Sequence, residues 1–344
     1  MICINRHRDL NADEWGELVE SVGALPSLLT AHSIAIKPNL AAGTYVAPKS
    51  HVISDLALLS SLIEFVHIVN PTARIYICES DSTGYGFAYA KFEHLGLPAS
   101  LRLDGDAHLS VELLDLSRDH LVRVEDPRFL HFDDQNRQLW LSEKLVESSF
   151  RISLCNLKTH SVTGYTGACK NLFGCLPDAD KSVMHPFIHE VVHDVTLALM
   201  PQLSIIDAFY GMERNGPVLG KPVDSGFRVV SDSPIEADLC AIKCAGLEER
   251  RVRYLTYLVK EGYFDLNDLP ACEIPRYAEP APFMRFMNRF GLTTQRFGRR
   301  VERFGHDIHA VQNFLTLVGV VLRPLLLRLF DIETLRRVNR KINR

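Results

Sequence analysis

The sequence predicts an α/β fold: a mainly parallel sheet with helices on both faces, followed by a basic helical C-terminal region. Short apolar runs rich in β-branched residues (33–37, RIYIC at 74–78, FRISLC at 150–155, LSIID at 203–207 and FRVVSDS at 227–233) read as strands. Segments of helical period separate several of them, and a repeated strand–loop–helix order favours parallel pairing with crossover helices. The 344 residues, 47% of them hydrophobic, are enough for one large domain or two modest ones.

Taken in order, residues 1–30 read as a short arm or strand and then a helix that starts at Asn11-Ala12-Asp13-Glu14, with Trp15, Leu18, Val19 and Val22 at helical spacing. The run 33–37 is the first core strand, and Pro38 holds Lys37 extended. The loop 39–48 follows it. Leu56, Leu59, Leu62, Ile63 and Val66 make one stripe of a helix over 54–69. RIYIC is the second strand, and Glu79, Asp81 and Ser82 lie in the loop at its end. Asp81 reads as a cap for the helix of FAYAKFEHLGL, whose first turn favours an acid. Residues 98–150 suggest shorter strands and turns; Asp104, Asp106 and His108 within them are close in sequence but fit an acidic turn better than a metal site.

FRISLC is the third strand, and the stretch 154–185, LCNLKTHSVTGYTGACKNLFGCLPDADKSVMH, is read as a long loop beyond it. His160, Cys169, Lys170, Cys175, Lys181 and His185 stand there among glycines, serines and threonines, at a strand end where α/β proteins place ligands. Cys169 and Cys175 are packing residues or thiolate ligands, packing being the better fit. In MHPFIHEVVHDVTLALM, His185, His189 and His193 recur every fourth residue on one expected helix face. LSIID is a further strand, with Asp207 expected at its end. Gly211, Gly216, Pro217 and Gly220 enforce a shaped turn, without the spacing of a phosphate cradle. Ser233-Pro234 starts a last helix of the body.

Composition narrows the classes. The net charge of −4 argues against general nucleic-acid binding. Eight cysteines contain no CxxC, so neither a zinc ribbon nor an iron–sulfur motif is present. MICINRHRDLNADEW has no signal-like apolar core, and a cytoplasmic setting is expected. The division expected is 1–270 as the α/β body and 271–344 as linker and basic apolar tail. Residues 281–344 carry 13 Arg plus Lys against 4 Asp plus Glu, a local +9. Within them VQNFLTLVGVVLRPLLLRLF is apolar but broken at Arg323-Pro324, which suits a membrane surface, a partner or a second copy of the chain better than a span.

KTH, the glycine- and threonine-rich turn, CKNLFGCLP and the later histidine resemble the domain-of-unknown-function 362 family. The resemblance extends to Lys37-Pro38-Asn39, to Asp207 in SIIDAFYGMERNGP and to Asp238 in SPIEADLCA, over about residues 30–250. The order His160, Lys170, His185 is also similar to the lactate racemase family, in which a lysine holds a nickel-pincer nucleotide covalently and a histidine ligates the nickel. The loop after RIYIC lacks that family's histidine, and KPNLAAG replaces its acidic and arginine-bearing early loop.

The leading expectation is therefore an isomerase- or oxidoreductase-type enzyme acting on a small polar or anionic substrate, assisted by a metal or metal cofactor. His160, Lys170 and Glu79 are the catalytic candidates, and His160 and His185 the metal ligands. Lys170, Lys158, Lys37 and Asn171 are the cofactor-binding candidates, with Asp207 a supporting carboxylate. Nickel, zinc or a nickel-pincer nucleotide is what the racemase likeness implies as cofactor. The alternative is a non-catalytic binding or assembly protein docked by its basic C-terminal helices to a membrane or partner, hence cytoplasmic with peripheral membrane contact.

Overall fold

The computed structural model describes residues 1–282 except 42, 48, 84–85, 98–99, 103–107, 133–136, 219, 262–268, 271–275 and 281. The chain divides into two units, Met1–Arg285 and Phe286–Arg344. The second unit, with the basic tail, lies outside the described residues, as do Asp104 and Asp106.

The first unit begins with β1 (Ile2–Asn5), α1 (Ala12–Ser21) and a short α2 (Leu25–Leu29). Next come β2 (Ser33–Pro38), α3 (Leu56–Val69), β3 (Arg74–Glu79), α4 (Ala88–His94), β4 (Ser100–Arg102) and β5 (His108–Asp115). A separate hairpin, β6 (Leu121–Val124) with β7 (Leu139–Ser142), and α5 (Glu143–Glu147) bring the chain back across the sheet. Then follow β8 (Phe150–His160), β9 (Gly164–Thr166), α6 (Ala168–Asn171), α7 (Ile188–Leu199), β10 (Leu203–Glu213), β11 (Lys221–Val223), β12 (Arg228–Ser231), α8 (Pro234–Cys244) and α9 (Arg253–Lys260).

One ten-stranded sheet has the order β1-β12-β10-β8-β2-β3-β5-β4, with β9 and β11 added as antiparallel flaps on β8 and β10. The five central strands, β10, β8, β2, β3 and β5, are parallel, and the outer ones antiparallel. From β2 the chain steps one way to β3 and β5, and later the other way to β8 and β10. The order reverses between β2 and β8, the kind of switch point beside which α/β sheets place their ligands.

Both faces of this sheet are covered. Ile34, Ile36, Ile75, Ile77, Ile152 and Leu154 face α1 and α3, where Trp15, Leu59, Leu62 and Phe65 complete one core. The intervening positions Ala35, Tyr76 and Cys78 join a second core with α7 and α8. The strict alternation of two is why neither face of the strands reads as polar. Helix starts follow their caps: Asn11 and Glu14 form a reciprocal capping box on α1, Asp55 caps α3, and Ser233 caps α8. Residues 276–280, next to a proline-rich stretch, are pinned to the body by Tyr277 N–H to Ala245 O (2.9 Å) and Arg214 N–H to Ala278 O (2.7 Å).

Three sequence expectations change. FRISLC does not end at Cys155: β8 runs on through Lys158 to His160, because β9 folds back and pairs with its polar end. β10 likewise continues to Glu213, so Asp207 sits within a strand rather than at its end. The helix after the long loop starts at Ile188, since residues 181–187 with Pro186 form 3-10 turns, and His185 stands outside it. No described helix is long and apolar enough to cross a membrane.

Candidate functional site

The carboxyl ends of β2, β3 and β8 carry an unusual number of buried cations. Lys37 ends β2, Lys158 lies near the end of β8, and Lys91 and Lys181 approach from α4 and the 3-10 segment; all four are buried. They divide into two groups with different electrostatics.

The first group surrounds Glu79. Its carboxylate meets Lys37 Nζ at 3.2 Å and Lys91 Nζ at 3.4 Å and accepts the Ser80 N–H at 2.8 Å. Burial alone would raise the Glu79 carboxyl, but Lys37, Lys91, the Ser80 N–H and Lys181 together hold it below the usual carboxylate range. Carbonyls take up the remaining ammonium protons: Pro38 O for Lys37 (2.6 Å), Ser80 O for Lys91 (2.9 Å), Asp81 O and Asp178 O for Lys181 (2.6 and 2.9 Å). Glu79 is thus a counter-ion locking three elements together. Asp81 accepts the Ala88 N–H at 2.8 Å and caps α4, as its position suggests.

The second group gathers on the turn after β9. Lys170 is half-buried, and its Nζ lies over the Phe173 ring, 5.5 Å from the centroid. His185 meets the same ring edge-on at 5.6 Å. Burial lowers the Lys170 ammonium to about 8. Burial lowers Lys158 to about 7; the nearby Cys155 opposes this and the charge of Lys170 adds to it, and its Nζ donates to Val52 O at 2.7 Å.

His160 accepts the Val162 and Thr163 N–H groups on Nδ1, at 3.0 and 3.2 Å, which leaves the ring proton on Nε2. Burial, and then the charges of Lys170, His185, Lys158 and His189, push its pKa well below the ordinary value. His185 has the opposite tautomer. Its Nδ1 donates to Lys181 O at 2.9 Å, so Nε2 carries a free lone pair. Burial lowers His185 too, although the Lys181 carbonyl opposes the shift. The turn, the end of β8 and the 3-10 segment therefore carry an amine, an imidazole N–H donor and an imidazole acceptor.

Asp238 of α8 holds that turn in place. Fully buried, it accepts Ala168 N–H at 2.6 Å, Cys169 N–H at 3.1 Å and Tyr165 Oη–H at 3.1 Å. Any Cβ on Gly167 would collide with Tyr165 Oη and Asp238 Oδ1, which explains a glycine there. Asn171, one residue past Lys170, donates to Lys37 O (2.8 Å), Ser153 Oγ (3.1 Å) and Leu154 O (3.4 Å), and so bolts the turn across the β2–β8 reversal. Gly174 passes 3.2 Å from Lys37 Cε, counting from where its Cβ would stand. Cys169 and Cys175 are buried, burial raising the first thiol well above its ordinary value and the second to about 12, as suits packing.

Other candidates lie elsewhere. Asp207 faces the α1–α3 side, 3.6 Å from Arg228 Nη2, and burial pushes its carboxyl up to about 6. His193 is fully buried with Nδ1 2.7 Å from Asp194 Oδ1, and His189 stacks on Tyr254. Among the described residues no group of three His, Cys, Asp or Glu is disposed to hold a metal. His160 Nδ1 is occupied by the backbone N–H groups of Val162 and Thr163.

The sequence matches the profile of the family described as Domain of unknown function (DUF362) over residues 34–243. The chain belongs to the DUF362 family. The match spans β2 through most of α8, and so contains Lys37, the turn with Lys170 and its anchor Asp238. A thylakoid-associated protein of Synechocystis sp. is similar at 25% identity over 230 residues, 64% of this chain and 65% of that protein. The chain thus spans slightly less than two thirds of that relative's length.

Proposed function

We propose that this DUF362 protein is an enzyme that binds a small anionic substrate at the Lys170 turn and moves a proton on it, an isomerase-type reaction. The observation that carries this reading is the pairing of Lys170 and His185 on one Phe173 ring at the switch point of the sheet. Both side chains keep part of their surface open, whereas Lys158 and His160 behind them are buried. A cationic amine at this strand end attracts a carboxylate or phosphate. A free His185 Nε2 supplies a proton acceptor, and His160 Nε2–H a hydrogen-bond donor for the developing oxyanion. The order His160, Lys170, His185, similar to that of lactate racemases, supports proton transfer next to a carboxylate. The proposed chemistry passes through these side chains alone.

Amine acylation mapped by mass spectrometry tests the anion site. Lys170 should react with a midpoint near pH 8, and lactate or phosphate should slow its reaction several-fold without affecting exposed lysines. A midpoint in the ordinary lysine range, with no protection by any small anion, would remove the reading.

Peripheral membrane attachment through 281–344 is a second proposal, supported by that stretch's +9 charge and apolar run and by the thylakoid association in the relative's name. The full chain should co-sediment with vesicles containing anionic lipid, and a chain ending at 280 should not. Equal sedimentation of the two would refute it.

A further inference from the structure

The lysines at the strand ends are not equivalent. Lys37 and Lys91 are paired with Glu79, Lys181 is held by two carbonyls, and Lys158 is buried against Val52 O. Lys170 differs: among the described residues its Nζ has no hydrogen bond or ion pair, and it rests on the face of Phe173. Its side chain also stays half-open. An amine without a carboxylate partner, on an aromatic surface and near another cation, is the arrangement that keeps a lysine nucleophilic.

From this geometry we propose that Lys170 forms a Schiff base with an anionic carbonyl substrate, a 2-oxo acid in class. This rests on the anion-site reading above and names its substrate chemistry. The Nζ lone pair attacks the carbonyl carbon, and a proton passes from nitrogen to the former carbonyl oxygen, giving a carbinolamine. His185 Nε2 then takes the remaining nitrogen proton and passes it to that oxygen, which leaves as water while the freed N–H electron pair forms the C=N bond and gives the neutral imine. His160, a neutral imidazole that keeps its proton, offers Nε2–H as a hydrogen bond to the departing oxygen. Atoms and electrons balance without an oxidant or reductant: one carbonyl and one amine give one imine and one water. The burial that lowers the Lys170 ammonium to about 8 leaves part of the amine unprotonated near neutrality, which assists the first step.

The test uses the full chain with pyruvate and with 2-oxoglutarate as probes, sodium borohydride to reduce any imine, and peptide mapping. A reduced adduct on Lys170, absent from Lys170→Arg and from borohydride-free controls, is the expected result. The acylation experiment runs in parallel with pyruvate and with lactate, which has no ketone. Protection of Lys170 by both acids without a reduced adduct would overturn the Schiff base and leave the anion site standing. An adduct confined to Lys158 or to surface lysines would overturn it as well. Neither adduct nor protection by any anion would overturn the Schiff base and the anion site together.

Discussion

Replacing Asp238 by alanine should cost about 3 to 4 kcal/mol of stability, one of the largest single losses expected here. The substitution leaves the Ala168 N–H, the Cys169 N–H and the Tyr165 hydroxyl in a fully buried place without their acceptor. Asp238→Asn should cost less, since one carbonyl oxygen remains, but it sets an NH2 group against donors. pH separates the two effects. Burial pushes the Asp238 carboxyl up to about 7 from 3.8, despite the Cys169 and Ala168 N–H groups that oppose it. The folded chain therefore binds this proton more tightly than the unfolded chain. The resulting stabilisation is fully present below 3.8 and is lost as the pH rises through about 7. Urea unfolding at pH 5 and pH 8 should show a larger deficit for Asp238→Asn at pH 5. A deficit independent of pH would mean that Asp238 is ionised throughout.

Lys158→Met should do the reverse of most core substitutions and stabilise the chain at neutral pH, by on the order of 2 kcal/mol. Lys158 is fully buried, with one carbonyl partner for its ammonium and a pKa lowered from 10.5 to about 7 by that burial. A depressed lysine has the opposite sign to Asp238. Between about 7 and 10.5 the unfolded chain holds the proton that the folded chain has given up. Wild-type stability therefore rises with pH across that window, and each pH unit is worth at most about 1.4 kcal/mol from this group. Methionine has no proton to lose, so its advantage should be largest at pH 7 and shrink by pH 9.5. Loss of the Val52 hydrogen bond subtracts about 1 kcal/mol at either pH. A variant less stable than wild type at pH 7 would mean that the Lys158 charge has a partner stronger than the Val52 carbonyl.

The two expectations also mark what could be read from the chain. The strand runs 33–37, RIYIC and LSIID and the helix over 54–69 were legible because their buried positions recur at the period of the element, with Asn11, Asp55 and Ser233 at the helix starts. The polar half of β8 was not. Lys158, Thr159 and His160 look like loop residues, and their burial follows from carbonyls contributed by residues distant in sequence, Val52 and Arg214. Proximity across the fold is also what hid Lys91. In AYAKFEH it looks like a solvated lysine, and only the sheet order brings it to Glu79. Asp238 stood in an ordinary amphipathic helix pattern, where only the resemblance drew it out. His193 gave the opposite error: helical spacing placed it with His185, but Asp194 and the packing of α7 keep it in the core.

Solvent exchange tests the central claim, proton transfer at the Lys170 turn, most directly. The full chain would be incubated in D2O with lactate, malate, pyruvate and 2-oxoglutarate, and deuterium entering at the carbon beside the carboxylate or ketone followed by NMR. Catalysed exchange on at least one of them is the predicted result, slowed about 10²- to 10⁴-fold in His185→Ala and abolished in Lys170→Ala. Exchange that is equal in wild type, His185→Ala and Lys170→Ala, or no faster than with buffer for every acid, would contradict it.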